Sequence, residues 1–131
     1  KSVDINRADS FELQSLKGIG SVIAKRIIKY RDALGGFYDL LQLEEVYGMN
    51  SQTFMEINHL IKIDDSIINK IDINAVDDVT LERHPYITKK QASIIVKYRN
   101  NHGGFKCLED FAKVKIFSTS ELEKIRHYIK F

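Results

Sequence analysis

The sequence predicts an all-α protein made of two tandem units of similar size. A shift of 68 residues aligns positions 4–63 with positions 72–131 without a gap, and 20 of the 60 aligned positions are identical. Apolar residues recur at spacings of three and four in both copies, which is typical of helices. No stretch alternates apolar and polar residues for long enough to indicate a strand. A repeat of this quality determines the architecture before any single helix is assigned.

The repeat places unit 1 at residues 1–66 and unit 2 at residues 67–131, with Asp64 to Lys70 as the linker. Each unit reads as four short helices. Four capping boxes, in which a short polar residue is followed three positions later by Glu or Gln, predict helix starts. They are Asp9 with Glu12, Asp39 with Gln42, Thr88 with Gln91, and Ser118 with Glu121. A double glycine ends the longest helix of each unit, because glycine adopts the left-handed conformation without steric cost.

Composition indicates a folded globular protein and excludes several functional classes. Of the 131 residues, 44% are hydrophobic and 29% are charged, and the net charge is only +2. The single cysteine, Cys107, excludes an internal disulfide. No apolar run approaches the roughly 18 residues of a membrane helix, so we expect no membrane contact within this segment. The four histidines lack metal-ligand spacing. We therefore predict no metal, no cofactor, no catalytic residue and no enzymatic activity.

The segment LQSLKGIGSVIAKRIIKYR, residues 13–31, places a glycine turn between two helical patterns. Its apolar positions and the Gly18-Ile19-Gly20 turn resemble a helix-hairpin-helix motif. Each complete unit, from DIN through the double glycine to a second hairpin, resembles the helix-hairpin-helix domain of the competence protein ComEA. This resemblance implies two units, each a pair of helix-hairpin-helix motifs in a SAM-like helical bundle. It also implies sequence-independent binding of double-stranded DNA, with no cofactor, and a role in DNA uptake outside the cytoplasm.

The chemistry of the first turn is compatible with a phosphate ligand. Glycines leave backbone N–H groups unshielded, and the positive end of the following helix dipole favours an anion. Ile19 is expected to point inward and stiffen the turn. Contacts of this kind reach phosphates and carry little base information. The predicted DNA-binding residues are Lys17, Gly18, Ile19, Gly20, Ser21, Lys25 and Lys29.

The other hairpins match this pattern less well. Tyr86, Ile87 and Thr88 stand where unit 1 has its glycine turn. A positive φ at Tyr86 would cost about 1–2 kcal/mol, so we expect a remodelled turn there. In unit 1, Glu44 and Glu45 precede the second hairpin and would repel a phosphate. We predict a secondary set of DNA-binding residues: Gly48, Met49, Asn50, Ser51, Lys89, Lys90, Lys113 and Lys115.

Features shared by both copies are best explained by the fold, and those in one copy are candidates for function. The shared residues are Tyr30 and Tyr98, Arg31 and Arg99, His59 and His127, and the double glycines. The alternative to DNA binding is a protein-interaction or scaffolding module built on degenerate hairpins. The loss of the glycine turn in unit 2 and the net charge of −2 over residues 1–68 favour this alternative. A protein partner is therefore retained beside DNA.

Overall fold

The computed structural model describes residues 2–131 and divides the chain between Ile68 and Asn69. Each side of this boundary is a compact unit with its own core, and the fold is predominantly helical, as predicted. The expected linker, Asp64 to Lys70, spans this boundary. Residues Asp65–Ile67 form a 3-10 helix, and Asp64 bonds to unit 1 through Arg7 and Asn6. This segment therefore belongs to unit 1.

Among its described residues, unit 1 contains three α-helices and three 3-10 segments, of which Asp65–Ile67 is the last. The elements before the second hairpin are β1 (Val3–Asp4), α1 (Ser10–Gln14), α2 (Ser21–Leu34) and a 3-10 helix (Leu40–Glu45). The elements after it are α3 (Ser51–Ile57), a 3-10 turn (Asn58–Leu60) and β2 (Ile61–Lys62). Strands β1 and β2 pair in parallel, with Val3 opposite Ile61.

Unit 2 repeats this order with small changes in length. Its first half contains β3 (Ile71–Asp72), α4 (Asp78–Leu81) and α5 (Lys89–His102). Its second half contains α6 (Leu108–Ala112), α7 (Thr119–Ile125), a 3-10 turn (Arg126–Tyr128) and β4 (Ile129–Lys130). Strands β3 and β4 are parallel, with Ile71 opposite Ile129. The sequence did not predict these two-residue strand pairs, because each joins the two ends of a unit and has no alternating pattern.

The four predicted capping boxes are all present. In each, the side chain of the first residue accepts from the backbone of the fourth, and the fourth side chain accepts in return. The helix after Asp39 is a 3-10 helix rather than the α-helix that the pattern predicted. The double glycines end α2 and α5 as expected, since Gly35 has φ +94° and Gly103 has φ +79°.

The two cores use the same positions of the repeat. Four pairs of equivalent side chains are fully buried in both units: Ile5 and Ile73, Leu13 and Leu81, Ile27 and Ile95, and Leu43 and Phe111. Each aliphatic side chain removed from water in this way contributes on the order of 1.5–3 kcal/mol. Each unit therefore has a core of its own behind its hairpins.

The shared DIN and KYR segments have structural roles. The Asn6 side chain accepts from the Phe37 amide at 2.7 Å and donates to the Phe37 carbonyl at 2.9 Å. The Arg31 guanidinium donates to the carbonyls of Ile5 and Ala8 at 3.2 and 2.7 Å. Asn74 and Arg99 make the equivalent bonds in unit 2. The prediction that Arg31 and Arg99 serve the fold is confirmed.

Candidate nucleic-acid interface

The turn before α2 contains one glycine that the fold requires. Gly18 has φ +86°, which disfavours any residue with a Cβ. A Cβ at this position would also lie 3.1 Å from Cγ2 of Thr53. Ile19 points inward, as expected: its side chain is 4% exposed and its amide donates to the Leu16 carbonyl at 3.1 Å. Gly18 and Ile19 together form the rigid corner of the hairpin.

Gly20 differs from Gly18, because neither its conformation nor its packing requires glycine. Its φ of −91° and ψ of −173° are extended values that other residues adopt, and no atom lies within 4 Å of a Cβ built there. Gly20 also gives α2 no side-chain cap. Within residues 2–131, the amides of Ser21, Val22 and Ile23 have no hydrogen-bond acceptor. The helix start is thus an open set of N–H donors with no side chain in front of them.

The corresponding helix start in unit 2 is capped by side chains. Thr88 Oγ1 accepts from the Gln91 amide at 3.1 Å, and Gln91 Oε1 accepts from the Thr88 amide at 2.9 Å. The Tyr86 amide donates to Nδ1 of the buried His84 at 3.1 Å. The expected remodelling is observed, since Lys115 is the only non-glycine residue with positive φ among residues 2–131. The Gln91 amide, unlike that of the equivalent Ile23, therefore has an internal acceptor, whereas the amides of Lys89 and Lys90 have none among the described residues.

The two hairpins of unit 1 lie side by side. Thr53 at the start of α3 contacts Gly18, and Lys17 Nζ lies 3.4 Å from a carboxylate oxygen of Glu56. The guanidinium of Arg26 lies 4.7 Å from the centre of the Tyr47 ring, and its Nη1 donates to the Tyr47 carbonyl at 3.2 Å. The primary and secondary predicted residues of unit 1 consequently lie on adjacent loops.

The second hairpin of unit 1 also requires its glycine for backbone conformation. Gly48 has φ +91°, and a Cβ there would lie 2.6 Å from Nη1 of Arg26, the mobile end of a long side chain. Gly48 is therefore explained first by its positive φ. In the same hairpin, Asn50 Oδ1 accepts from the Thr53 amide at 2.8 Å, Met49 is half-buried and Ser51 is exposed.

Glu45, one of the two carboxylates expected to repel a phosphate, is held by a residue of α2. The hydroxyl of Tyr30 donates to Glu45 Oε1 at 2.7 Å, which directs this carboxylate toward α2. Glu44 remains exposed. The acidic pair before the second hairpin is thus one engaged carboxylate and one solvated carboxylate.

The predicted lysines fall into two groups. Lys25 and Lys29 are exposed on successive turns of α2, and neither forms an ion pair among the described residues. Lys17 is balanced by Glu56. In unit 2, Lys89 and Lys90 form the exposed first turn of α5, Lys115 is exposed at φ +59°, and Lys113 pairs with Asp110 at 3.6 Å. Lys25 and Lys29 are the cations best placed beside the open helix start.

Sequence reasoning missed one residue of this surface. Tyr47 is 81% exposed at the tip of the second hairpin, where Arg26 stacks on it. An exposed tyrosine has no sequence signal that separates it from a core tyrosine. The stacking of Arg26 on Tyr47 is visible only in the structure, where the two hairpins approach each other.

The described residues form neither a metal-binding cluster nor a membrane-spanning helix. Residues 2–131 contain no group of three or more His, Cys, Asp or Glu side chains that could hold a metal ion. Over the same residues, the helices are too short or too polar to span a bilayer.

Comparison with known families agrees with the geometry. The family model described as "Helix-hairpin-helix motif" matches residues 1–62 and again residues 66–130. The chain belongs to the helix-hairpin-helix family. Both units are therefore members of a family whose motif suggests nucleic-acid binding.

The curated relatives are much longer proteins. The chain is 30% identical to endonuclease/exonuclease/phosphatase family domain-containing protein 1 of Danio rerio, and 26% and 22% identical to its counterparts in Xenopus laevis and Homo sapiens. Each match covers 97% of the chain but only 26–27% of the relative. No solved structure matches the chain significantly.

Proposed function

We propose that the chain binds double-stranded DNA without reading its sequence, and that it does so without catalysis. The observation that carries the proposal is the open helix start after Gly20. Three free amides and the positive end of a 14-residue helix face solvent there, with no side chain in front of them. A phosphate oxygen is the ligand that such a start favours. The family membership supports nucleic acid as the source of the phosphate.

Charge strengthens this site without adding base recognition. Lys25 and Lys29 continue along α2 from the free amides, so a duplex backbone at the helix start would pass near both ammonium groups. Contacts to phosphate position a protein on DNA but carry no sequence information directly. We assign the main contacts to Gly20, Ser21, Lys25 and Lys29, and a supporting role to the second hairpin at residues 48–51.

The role in the cell is a separate hypothesis. The resemblance to ComEA implies DNA uptake outside the cytoplasm, whereas the relatives found carry the name of an endonuclease/exonuclease/phosphatase family protein. The chain spans about a quarter of those relatives. The proposal therefore concerns duplex binding alone.

A scaffolding role is the second candidate, and one observation in unit 2 favours it. Both of its hairpin helices, α5 and α7, begin with complete capping boxes, in which one amide of each helix has a side-chain acceptor. Each helix start therefore has one donor fewer for a phosphate, and a side chain stands in front of it. Unit 2 would then contribute packing, or diffuse attraction through Lys89 and Lys90, rather than a phosphate cradle.

The deciding experiment is a salt titration of binding to a labelled random-sequence duplex, followed by fluorescence anisotropy. Non-specific binding corresponds to a dissociation constant of about 10⁻⁴ to 10⁻⁶ M at physiological salt. Gly20→Thr introduces the residue that unit 2 carries at this position, and its hydroxyl should accept from the Ile23 amide as Thr88 accepts from that of Gln91. We expect weaker binding, and a salt slope whose magnitude falls by about 0.9 for each phosphate that the variant no longer neutralises.

A matched pair of lysines provides the control. Lys29 and Lys97 occupy equivalent positions of the repeat, so Lys29→Gln should weaken binding more than Lys97→Gln. Unchanged affinity and slope in Gly20→Thr would refute the phosphate cradle. Absence of binding by the native chain at 50 mM salt would refute duplex binding and favour the scaffold.

A further inference from the structure

Unit 2 contains a groove that the duplex proposal does not use. It lies at the end of α5, beside the double glycine, and has a volume of about 310 Å³. Its walls include the following residues: Tyr98, His102, Gly104, Lys106, Asp110 and Lys113. Aromatic rings and ammonium groups thus line the same space.

The aromatic wall is a stack with one open end. The rings of His102 and Tyr98 are parallel within 9°, with centroids 3.9 Å apart, and Tyr98 stacks in turn on the buried Phe105 at 5.7 Å and 5°. His102 Nδ1 lies 3.0 Å from the Tyr98 carbonyl, which can only accept, so this nitrogen carries a proton. Because His102 is exposed, the ring face turned away from Tyr98 is open to solvent.

The charged wall can bind an anion beside this ring. Asp110 is already engaged, since it accepts from the Lys106 amide at 2.9 Å and pairs with Lys113 Nζ at 3.6 Å. The ammonium group of Lys106 forms no ion pair among the described residues. In the same part of the chain, the Tyr98 hydroxyl has no hydrogen-bond partner. Lys106, Lys113 and the Tyr98 hydroxyl therefore remain as donors for a phosphate.

Unit 1 shows that the fold does not need this arrangement. Leu34 replaces His102 and is buried, Tyr38 replaces Lys106, and Glu45 replaces Lys113. There, the Tyr30 hydroxyl donates to Glu45, and the Tyr30 ring is tilted by 39° from Phe37 instead of stacked on it. The stack and its cations thus occur in one unit only.

We propose that this groove binds an unpaired nucleotide of single-stranded nucleic acid, with the base on His102 and the phosphate at Lys106 and Lys113. A flat exposed ring is a stacking platform for any base, and flanking cations follow the backbone. Duplex DNA offers no free base to this ring, so the site is distinct from the helix start after Gly20. The inference extends the proposed nucleic-acid function but uses different residues.

The test is binding of labelled hexathymidylate at 25 mM salt, measured by anisotropy with the full chain. His102→Leu installs the residue that unit 1 carries, and we expect it to weaken binding about fivefold or more through loss of the stack. His59→Leu, the same change at an exposed histidine of unit 1, should leave binding unchanged. Circular dichroism confirms that each variant is folded.

A second probe separates stacking from charge. A hexamer with the same phosphates but abasic sites should bind the native chain weakly and be insensitive to His102→Leu. Equal affinity for the abasic and thymidine hexamers would overturn the assignment, as would hexathymidylate binding that His102→Leu leaves intact.

The proposals for the two binding sites can be refuted independently of each other. Gly20→Thr should weaken duplex binding and leave hexathymidylate binding unchanged, whereas His102→Leu should do the reverse. If Gly20→Thr alone has its expected effect, duplex binding stands and the nucleotide site is refuted. If His102→Leu alone has its expected effect, the nucleotide site stands without the cradle.

Discussion

Gly20 and Thr88 occupy the same position before the long helix of each unit, but only Thr88 caps the helix that follows with its side chain. The Thr88 hydroxyl accepts from the Gln91 amide at 3.1 Å, while Gly20 leaves its helix without a side-chain cap. Glycine in place of threonine at such a position costs only a few tenths of a kcal/mol. Unit 1 therefore retains a helix start that is open to a ligand at little cost in stability.

The first prediction follows from this exchange. Gly20→Thr should raise the free energy of unfolding by about 0.5–1 kcal/mol, because it adds a cap and restricts the unfolded chain. Thr88→Ala should lower it by about 1 kcal/mol. Thermal unfolding followed by circular dichroism measures both. Destabilisation by Gly20→Thr would show that the backbone there cannot accept a side chain.

The second prediction separates the two glycines of the first turn. Gly18→Ala should lower the free energy of unfolding by about 1–2 kcal/mol, since it places a Cβ at φ +86° and against Thr53. Gly20→Ala should stay within about 0.5 kcal/mol of the native chain, because its φ and ψ are extended and the space is empty. Urea denaturation compares the two variants. Equal losses would contradict the distinction between a structural and a functional glycine.

The third prediction concerns the repeated DIN segment. The Asn6 side chain makes three hydrogen bonds, to the Phe37 amide and to the carbonyls of Phe37 and Asp64. Asn6→Ala leaves these groups without a partner and should lower the free energy of unfolding by about 2–3 kcal/mol. Asn58→Ala, at an exposed position of unit 1, is the control and should change it by less than about 0.5 kcal/mol. Urea midpoints that coincide for the two variants would refute this role.

Much of the fold could be predicted because its signals are local. Capping boxes, the double glycines and the 68-residue repeat each depend on residues close in sequence or on direct comparison of the copies. The parallel strand pairs could not be predicted from sequence, because Val3 meets Ile61 only after the unit has folded. The 3-10 helix after Asp39 begins with the same capping box that begins an α-helix. Sequence marks where such a helix begins but not how tightly it winds.

The candidate site was predicted less completely. Gly18, Gly20 and Gly48 look alike in sequence. Gly18 and Gly48 are required by their positive φ, and a Cβ at Gly48 would also contact Arg26. Neither conformation nor packing requires glycine at position 20. The hydrogen bond between Tyr30 and Glu45 joins residues 15 apart and fixes the direction of a carboxylate that was expected to repel a phosphate. Side-chain partners of this kind depend on packing between helices, which periodicity does not encode.

The fourth prediction concerns acid sensitivity at the end of unit 1. The Ser66 hydroxyl, supported by Arg7 and the Ser66 amide, lowers the pKa of the Asp64 carboxyl from 3.8 to about 2. Because the folded-state pKa is below the unfolded one, the Asp64 carboxylate stabilises unit 1 above pH 3.8. That contribution is lost as the pH falls from 3.8 toward 2.

Nuclear magnetic resonance titration of the aspartate carboxyl groups tests this directly. Ser66→Ala removes the largest single cause, so the pKa of Asp64 should rise toward 3.8, and Arg7→Gln should also raise it. Asp65→Asn, next to the site but outside these bonds, should leave the pKa of Asp64 nearly unchanged. A pKa near 3.8 in the native chain would mean that Asp64 is solvated, and the segment after β2 would then behave as the linker that its sequence predicted.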